Sequence, residues 1–104
     1  MNQSITHIVI CWLKKHGNTE DRKQLIEAAK ILREIPGIID LRVGKVFSSS
    51  KLQVDSSYDI ALSITFKDEN TFREYETHPI HKKAVQEALA PLVSKFVVYD
   101  FENE

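Results

Sequence analysis

Residues Ile5 to Leu13 are apolar on both sides of an extended chain, and that limits what the sequence can fold into. Read as a strand, the segment puts His7, Val9, Cys11 and Leu13 on one face and Ile8, Ile10 and Trp12 on the other. The segment from Val93 to Phe101 behaves likewise, with Val93, Val97, Tyr99 and Phe101 opposite Phe96 and Val98. A sheet built from such strands needs cover on both faces.

Between these two strands the pattern alternates between helix and strand. Lys14 to Asn18 form a polar turn, and Asn18 or Thr19 caps a helix in which Leu25, Ile26, Ala29 and Leu32 make one apolar stripe. Pro36-Gly37 stops it, and Ile38 to Phe47 reads as a second strand. Ser48 to Ser57 is a polar loop. From Tyr58 to Phe66, apolar Tyr58, Ile60, Leu62, Ile64 and Phe66 alternate with Asp59, Ala61, Ser63 and Thr65, giving a third strand. Asp68 or Asn70 starts a short helical piece through Tyr75. A further helix runs from about Pro79 to Leu89, with Pro91 marking its end, and Val93 to Phe101 is the fourth strand. The order βαββαβ is that of the ferredoxin-like α+β fold, an antiparallel four-stranded sheet with its helices on one face.

Helices on one face leave the other bare. We expect that outer face to carry Trp12, Ile8, Ile10, Phe96 and Val98, more contiguous apolar surface than a monomer normally leaves in water. The expected solution is a symmetric homodimer packed sheet to sheet.

Composition narrows the functional classes. With 104 residues, 42% of them hydrophobic, residues 1–104 are expected to form one domain around one core. A net charge of −1 gives no electrostatic case for nucleic acid or an anionic membrane surface. The single cysteine, Cys11, excludes an internal disulfide; mid-strand among apolar neighbours, it reads as a buried inert thiol. No apolar run approaches the roughly 20 residues that span a bilayer, and Met1 to Ser4 lack a leader pattern. A cytoplasmic protein is the expectation. Gly17, Gly37 and Gly44 are not spaced as a phosphate-binding loop, so no nucleotide cofactor is expected.

The densest chemistry lies at Tyr75-Glu76-Thr77-His78-Pro79-Ile80-His81. Proline favours the first helical turn, so the helix begins near His78 or Pro79 and His81 falls in that turn. The positive end of the helix dipole favours a neutral imidazole there. Beside a phenol, such an imidazole suits proton transfer: the histidine acts as general base and Tyr75 hydrogen-bonds a developing oxyanion. The bland alternative has His78 capping the helix, His81 bonding a backbone carbonyl and Tyr75 filling core. His7 should point toward the helices, either as a satisfied core histidine or as part of the site. His16, in the polar turn, reads as solvated. His78 and His81 supply only two metal ligands, so no metal site is expected.

The chain resembles the stress-responsive A/B barrel domain (Dabb) family. The resemblance runs from residue 5 to 101 and rests on His7-Ile8-Val9 with Trp12-Leu13-Lys14, Ile35-Pro36-Gly37-Ile38 and Val43-Gly44. It continues through Tyr58-Asp59-Ile60-Ala61-Leu62, His78-Pro79-Ile80-His81, Ala90-Pro91-Leu92-Val93 and Asp100-Phe101. It implies a dimeric α+β barrel. Some members of the family are cofactor-independent polyketide cyclases that use a histidine and a tyrosine in the cleft between helices and sheet. Those positions fall on His81 and Tyr75 here, and a further pocket histidine falls on His7. Two other polar pocket positions fall on Ile60 and Ala28, so the groups that hold a polyketide are not reproduced.

The expected function is therefore a dimer that binds a small hydrophobic or aromatic ligand between helices and sheet. Its enzymatic version is a cofactor-free cyclisation or isomerisation with His81, Tyr75 and His7 as catalytic residues. One alternative is a non-catalytic stress-response binding or assembly protein. The other is a monooxygenase of the antibiotic-biosynthesis or haem-degrading type, which a Soret shift with haemin would reveal.

Overall fold

The computed structural model describes residues 3–104; Met1 and Asn2, part of the opening stretch read for a leader, lie outside the described residues. Strand β1 (Ile5–Leu13) is followed by helix α1 (Thr19–Ile31), which a 3-10 turn (Leu32–Glu34) extends. Then come β2 (Ile38–Lys45), β3 (Ile60–Phe66), α2 (Glu69–Thr77), α3 (Pro79–Ala84) and β4 (Val93–Glu102). All strand pairs are antiparallel and the sheet order is β2-β3-β1-β4. This is the ferredoxin-like α+β arrangement.

The helix starts follow from local chemistry. Asn18 caps α1 by accepting from the Asp21 N–H at 2.9 Å. At α2, Asp68 and Thr71 bond reciprocally in a capping box. His78 caps α3, its Nδ1 accepting from the Ile80 N–H at 3.1 Å, with Pro79 in the first turn. Pro91 does not end this last helix. The chain widens into a π turn (Val85–Leu89), where the Ala90 N–H reaches back to the Val85 carbonyl, and closes with an α turn (Ala90–Leu92). A proline lacks the N–H that an α turn requires and clashes with it sterically. The wider turn accommodates Pro91 without breaking the helix.

The sheet's inner face and the helices form two packed clusters. One joins Val9, Cys11, Leu13, Leu25, Ile60, Ala88 and Val93. The other joins Leu32, Ile35, Leu41, Ile64, Phe66 and Tyr75. Gly37, at φ +92°, lies so close to α2 that a Cβ there would meet the Thr71 Cβ at 2.5 Å.

Three expectations are corrected, the first by the strand register. Ile8 pairs with Tyr99, Ile10 with Val97 and Thr6 with Phe101, whereas Val9 pairs with Val98 and Cys11 with Phe96. Directly paired residues share a face. The outer patch is thus Ile8, Ile10, Trp12, Val97, Tyr99 and Phe101; Phe96 and Val98 lie on the helix side. The cause is a bulge: Trp12 pairs with Lys95 but Leu13 with Val93, which leaves Ser94 extra and brings Val93 to the same face as Phe96. Asp59, grouped with outward-facing Ala61, Ser63 and Thr65, is in fact 2% exposed. Its carboxylate accepts the Leu13 N–H and the Gly17 N–H, each at 2.8 Å, and sits 3.0 Å from His16 Nδ1. His16, expected to be merely solvated, therefore closes a clasp between its turn and β3, although its ring remains largely exposed.

Candidate functional site

α1, α3 and the π turn arch over the inner face of β1, β3 and β4, enclosing a cavity of about 410 Å³ whose walls are mostly aliphatic. The polar groups that reach it are few. They are His7 from β1, Tyr75 and Glu76 from α2, His81 from α3 and Asp100 from β4. Each is placed by its element. His7 lies one strand over from Asp100 in the β1–β4 register. Tyr75 is on the buried face of α2, and the break at His78 turns the chain so that His81 comes back against it.

The three residues read as candidates from the sequence meet here. The Tyr75 ring lies 4.4 Å from that of His81 and 5.9 Å from that of His7, centroid to centroid. Phe66 and Phe72 pack around Tyr75 at 4.9 and 6.5 Å. Tyr75 is only 3% exposed. Its hydroxyl has no hydrogen-bond partner among the described residues, while no fully buried side-chain polar atom is left unpartnered. The oxygen thus keeps some accessible surface, and the cavity that Tyr75 lines is where it can find a partner.

His81 Nδ1 is 3.2 Å from the Glu76 carbonyl. A carbonyl only accepts, so in the neutral ring Nδ1 carries the proton and Nε2 holds the free lone pair. Burial holds the His81 pKa below the ordinary histidine value and the nearby His7 adds to this, against the opposing pull of the Glu76 carbonyl. Burial raises the Tyr75 pKa well above that of an ordinary phenol, helped by the Glu76 charge. Cys11, also in the wall, is pushed up to about 11 by burial. The His7 Nδ1–H donates to the Asp100 carboxylate. Both imidazoles flanking the phenol are therefore tied at Nδ1.

Asp100 escaped the sequence reading as a site residue. The signal was there in principle, because antiparallel pairing of the first and last strands brings it opposite His7, but that pairing depends on the bulge at Ser94. Ile60 and Ala28, the positions where the resemblance implied polar pocket groups, both stand in the wall as apolar residues. His78 is spent on its cap. Among the described residues, no group of three or more His, Cys, Asp or Glu side chains is placed to hold a metal ion. Nor is any helix long and apolar enough to cross a membrane.

The sequence matches the family model of the stress responsive A/B barrel domain over residues 5–103. Among solved structures, it is similar to a Dabb-family protein with a ferredoxin-like fold from Mesorhizobium loti. The two are 26% identical at a TM-score of 0.80, over 98% of each chain. A dimeric ferredoxin-like protein of unknown function from Thermobifida fusca is 25% identical at a TM-score of 0.79, over 99% of this chain and 93% of that one. A hydroxynitrile lyase from Passiflora edulis shares the fold at 19% identity and a TM-score of 0.84, over 100% of this chain and 96% of that one. No curated protein matches the sequence.

Proposed function

The chain belongs to the stress responsive A/B barrel domain family, and from that premise we propose that it is a homodimer in which each subunit binds a small hydrophobic or aromatic carbonyl compound and moves a proton on it without a cofactor. One observation carries this reading. A buried phenol with no hydrogen-bond partner among the described residues stands against an imidazole whose Nδ1 is tied, both on the wall of an apolar cavity of about 410 Å³. Cavities of roughly 300–1,000 Å³, mostly apolar with a few convergent polar groups, are the usual form of small-molecule sites.

In the proposed reaction, His81 Nε2 takes a proton from the carbon beside a carbonyl. The C–H electron pair becomes the enolate, and its oxygen accepts from the Tyr75 hydroxyl. Returning the proton to another carbon isomerises the compound. Attack of the enolate carbon on a second carbonyl of the same molecule closes a ring, and the resulting alkoxide takes the proton back from His81. A positioned base contributes about 10²–10⁴-fold and an oxyanion donor about 10²–10³-fold. The aliphatic residues at Ile60 and Ala28 favour a less polar compound than a polyketide. That a hydroxynitrile lyase is built on this fold supports an enzymatic use of the architecture. Dimerisation is supported by the apolar outer face and by a relative described as dimeric. The unpaired cysteine suits a reducing cytoplasm.

The test is hydrogen exchange in D2O, followed by NMR on a panel of aryl ketones and β-diketones. The protein should speed exchange of the protons next to the carbonyl. His81→Ala should lose about 10²–10⁴ of that acceleration and Tyr75→Phe about 10²-fold. If the compounds bind but no exchange is accelerated, or if both variants match the unmodified protein, the catalytic reading fails and a non-catalytic binder is left.

A further inference from the structure

The segment between β2 and β3 does not line the cavity, yet it carries the most exposed large apolar side chains among the described residues. Leu52 is 101% exposed and Phe47 89%, and Val54 is exposed as well. The segment is folded back on itself. The Val46 N–H donates to the Asp59 carbonyl at its base, the Ser49 N–H to Ser56 Oγ at mid-length, and the Val54 N–H to the Lys51 carbonyl in the turn at its tip. These rungs describe a narrow arm with Leu52 at the end, not a slack linker. The molecule is also somewhat less compact than a domain of this length usually is. The radius of gyration is 14.0 Å, against about 13 Å for a compact domain of this length.

The base of the arm sits on the outer side of the sheet. Trp12 Nε1 donates to Ser57 Oγ at 3.1 Å, and the Tyr58 ring meets the Trp12 ring edge-on at 6.5 Å. Trp12 belongs to the outer apolar face with Ile8, Ile10, Val97, Tyr99 and Phe101. The arm thus continues the surface on which a second subunit is expected. Stacked sheets lie about 10 Å apart. Half of the arm, six or so residues at roughly 3.3 Å each, spans about 20 Å, which is enough to cross that layer and reach past the facing sheet.

We propose that residues 46–58 are a clasping arm that packs Phe47, Leu52 and Val54 on a second copy of this chain. This rests on the homodimer reading above and adds to it the element that holds the two subunits. The experiment is sedimentation equilibrium of the full chain and of the double variant Phe47→Ser/Leu52→Ser, with far-UV circular dichroism as a fold control. Both side chains are exposed in the single subunit, so the variant should keep the spectrum. Its dimer dissociation constant should rise at least about 100-fold, as expected when interface anchors are removed. A dimeric parent whose variant dissociates at the same concentration overturns the arm and leaves the dimer standing. A parent that is monomeric throughout overturns both.

Discussion

At the scale of single residues, the two tied imidazoles and the phenol fix how the proposed chemistry should depend on pH. Burial depresses the His81 pKa, so the ring stays neutral and basic somewhat below the ordinary histidine value of about 6.5. Burial raises the Tyr75 pKa, so the hydroxyl keeps its proton through the alkaline range that an ordinary phenol would leave near 10. The exchange rate should therefore be flat across neutral pH and fall only on the acid side, with its midpoint below about 6.5, and NMR exchange rates against pH measure it directly. Asp59 dictates a different dependence, on stability. Burial alone would raise its pKa, but the Leu13 and Gly17 N–H groups and His16 outweigh burial and hold it below the ordinary carboxylate value. A depressed carboxylate contributes stability above its unfolded pKa and loses it as pH falls through the folded one. The melting temperature should drop below about pH 4, and less so in Asp59→Asn. At neutral pH Asp59→Ala strands the buried Leu13 N–H and removes the partner of the more exposed Gly17 N–H, and should cost about 1–3 kcal/mol in urea unfolding. His81, Tyr75 and His7 were legible because a helix start and a strand alternation are local patterns. Asp59 and Asp100 were not. Their partners lie 46 and 93 positions away, and only the folded register brings them together.

Among the elements, the strands and helices appear where side-chain period and capping chemistry put them, because those signals act within a few residues. But β2 stops at Lys45 and β3 begins at Ile60, and Tyr58, expected to share the face of Ile60, packs on outer-face Trp12. What the sequence hid were the two irregularities, the π turn ahead of Pro91 and the bulge at Ser94. A strict two-residue period cannot register an inserted residue, and one insertion exchanges the faces of everything beyond it. That is why Phe96 and Val98 were expected outside and are found over the cavity. The contact between β2 and α2 shows how little freedom such junctions have. Gly37 takes φ +92°, and a Cβ there would lie 2.5 Å from the Thr71 Cβ, on a residue already committed to the capping box with Asp68. Gly37→Ala combines a left-handed backbone penalty with overpacking and should destabilise by about 2–4 kcal/mol, read from the denaturant midpoint. Gly17 also has a positive φ, of 77°, but a Cβ there would meet nothing within 4 Å. Its alanine variant should lose only the backbone part, about 1 kcal/mol.

For the molecule as a whole, the outer sheet face is divided, and the division says where the second subunit of the proposed dimer should sit. Over β1 and β4 it carries Ile8, Ile10, Trp12, Val97, Tyr99 and Phe101; over β2 and β3 it carries Asp40, Arg42, Ser63 and Thr65. The apolar half is on the side of the β4 edge, so a two-fold axis should pass nearer β1 and β4 than the centre of the sheet. A standard interface takes about 800 Å² from each partner. With about half of the roughly 1,600 Å² buried in total being apolar, at about 25 cal/mol per Å² the gross gain is roughly 20 kcal/mol, against association costs of about 4–15 kcal/mol. A lysine placed in the middle of that patch has no counter-charge and must either stay solvated or lose its hydration. Val97→Lys should therefore turn a particle of twice 12.0 kDa into one of 12.0 kDa by light scattering, with the circular dichroism unchanged. Trp12, the only tryptophan, lies in the same patch and reports the event optically. Its emission should shift to the red in Val97→Lys and, on dilution, in the parent. An emission maximum that does not move while the scattering mass halves would place the subunit contact elsewhere on the surface.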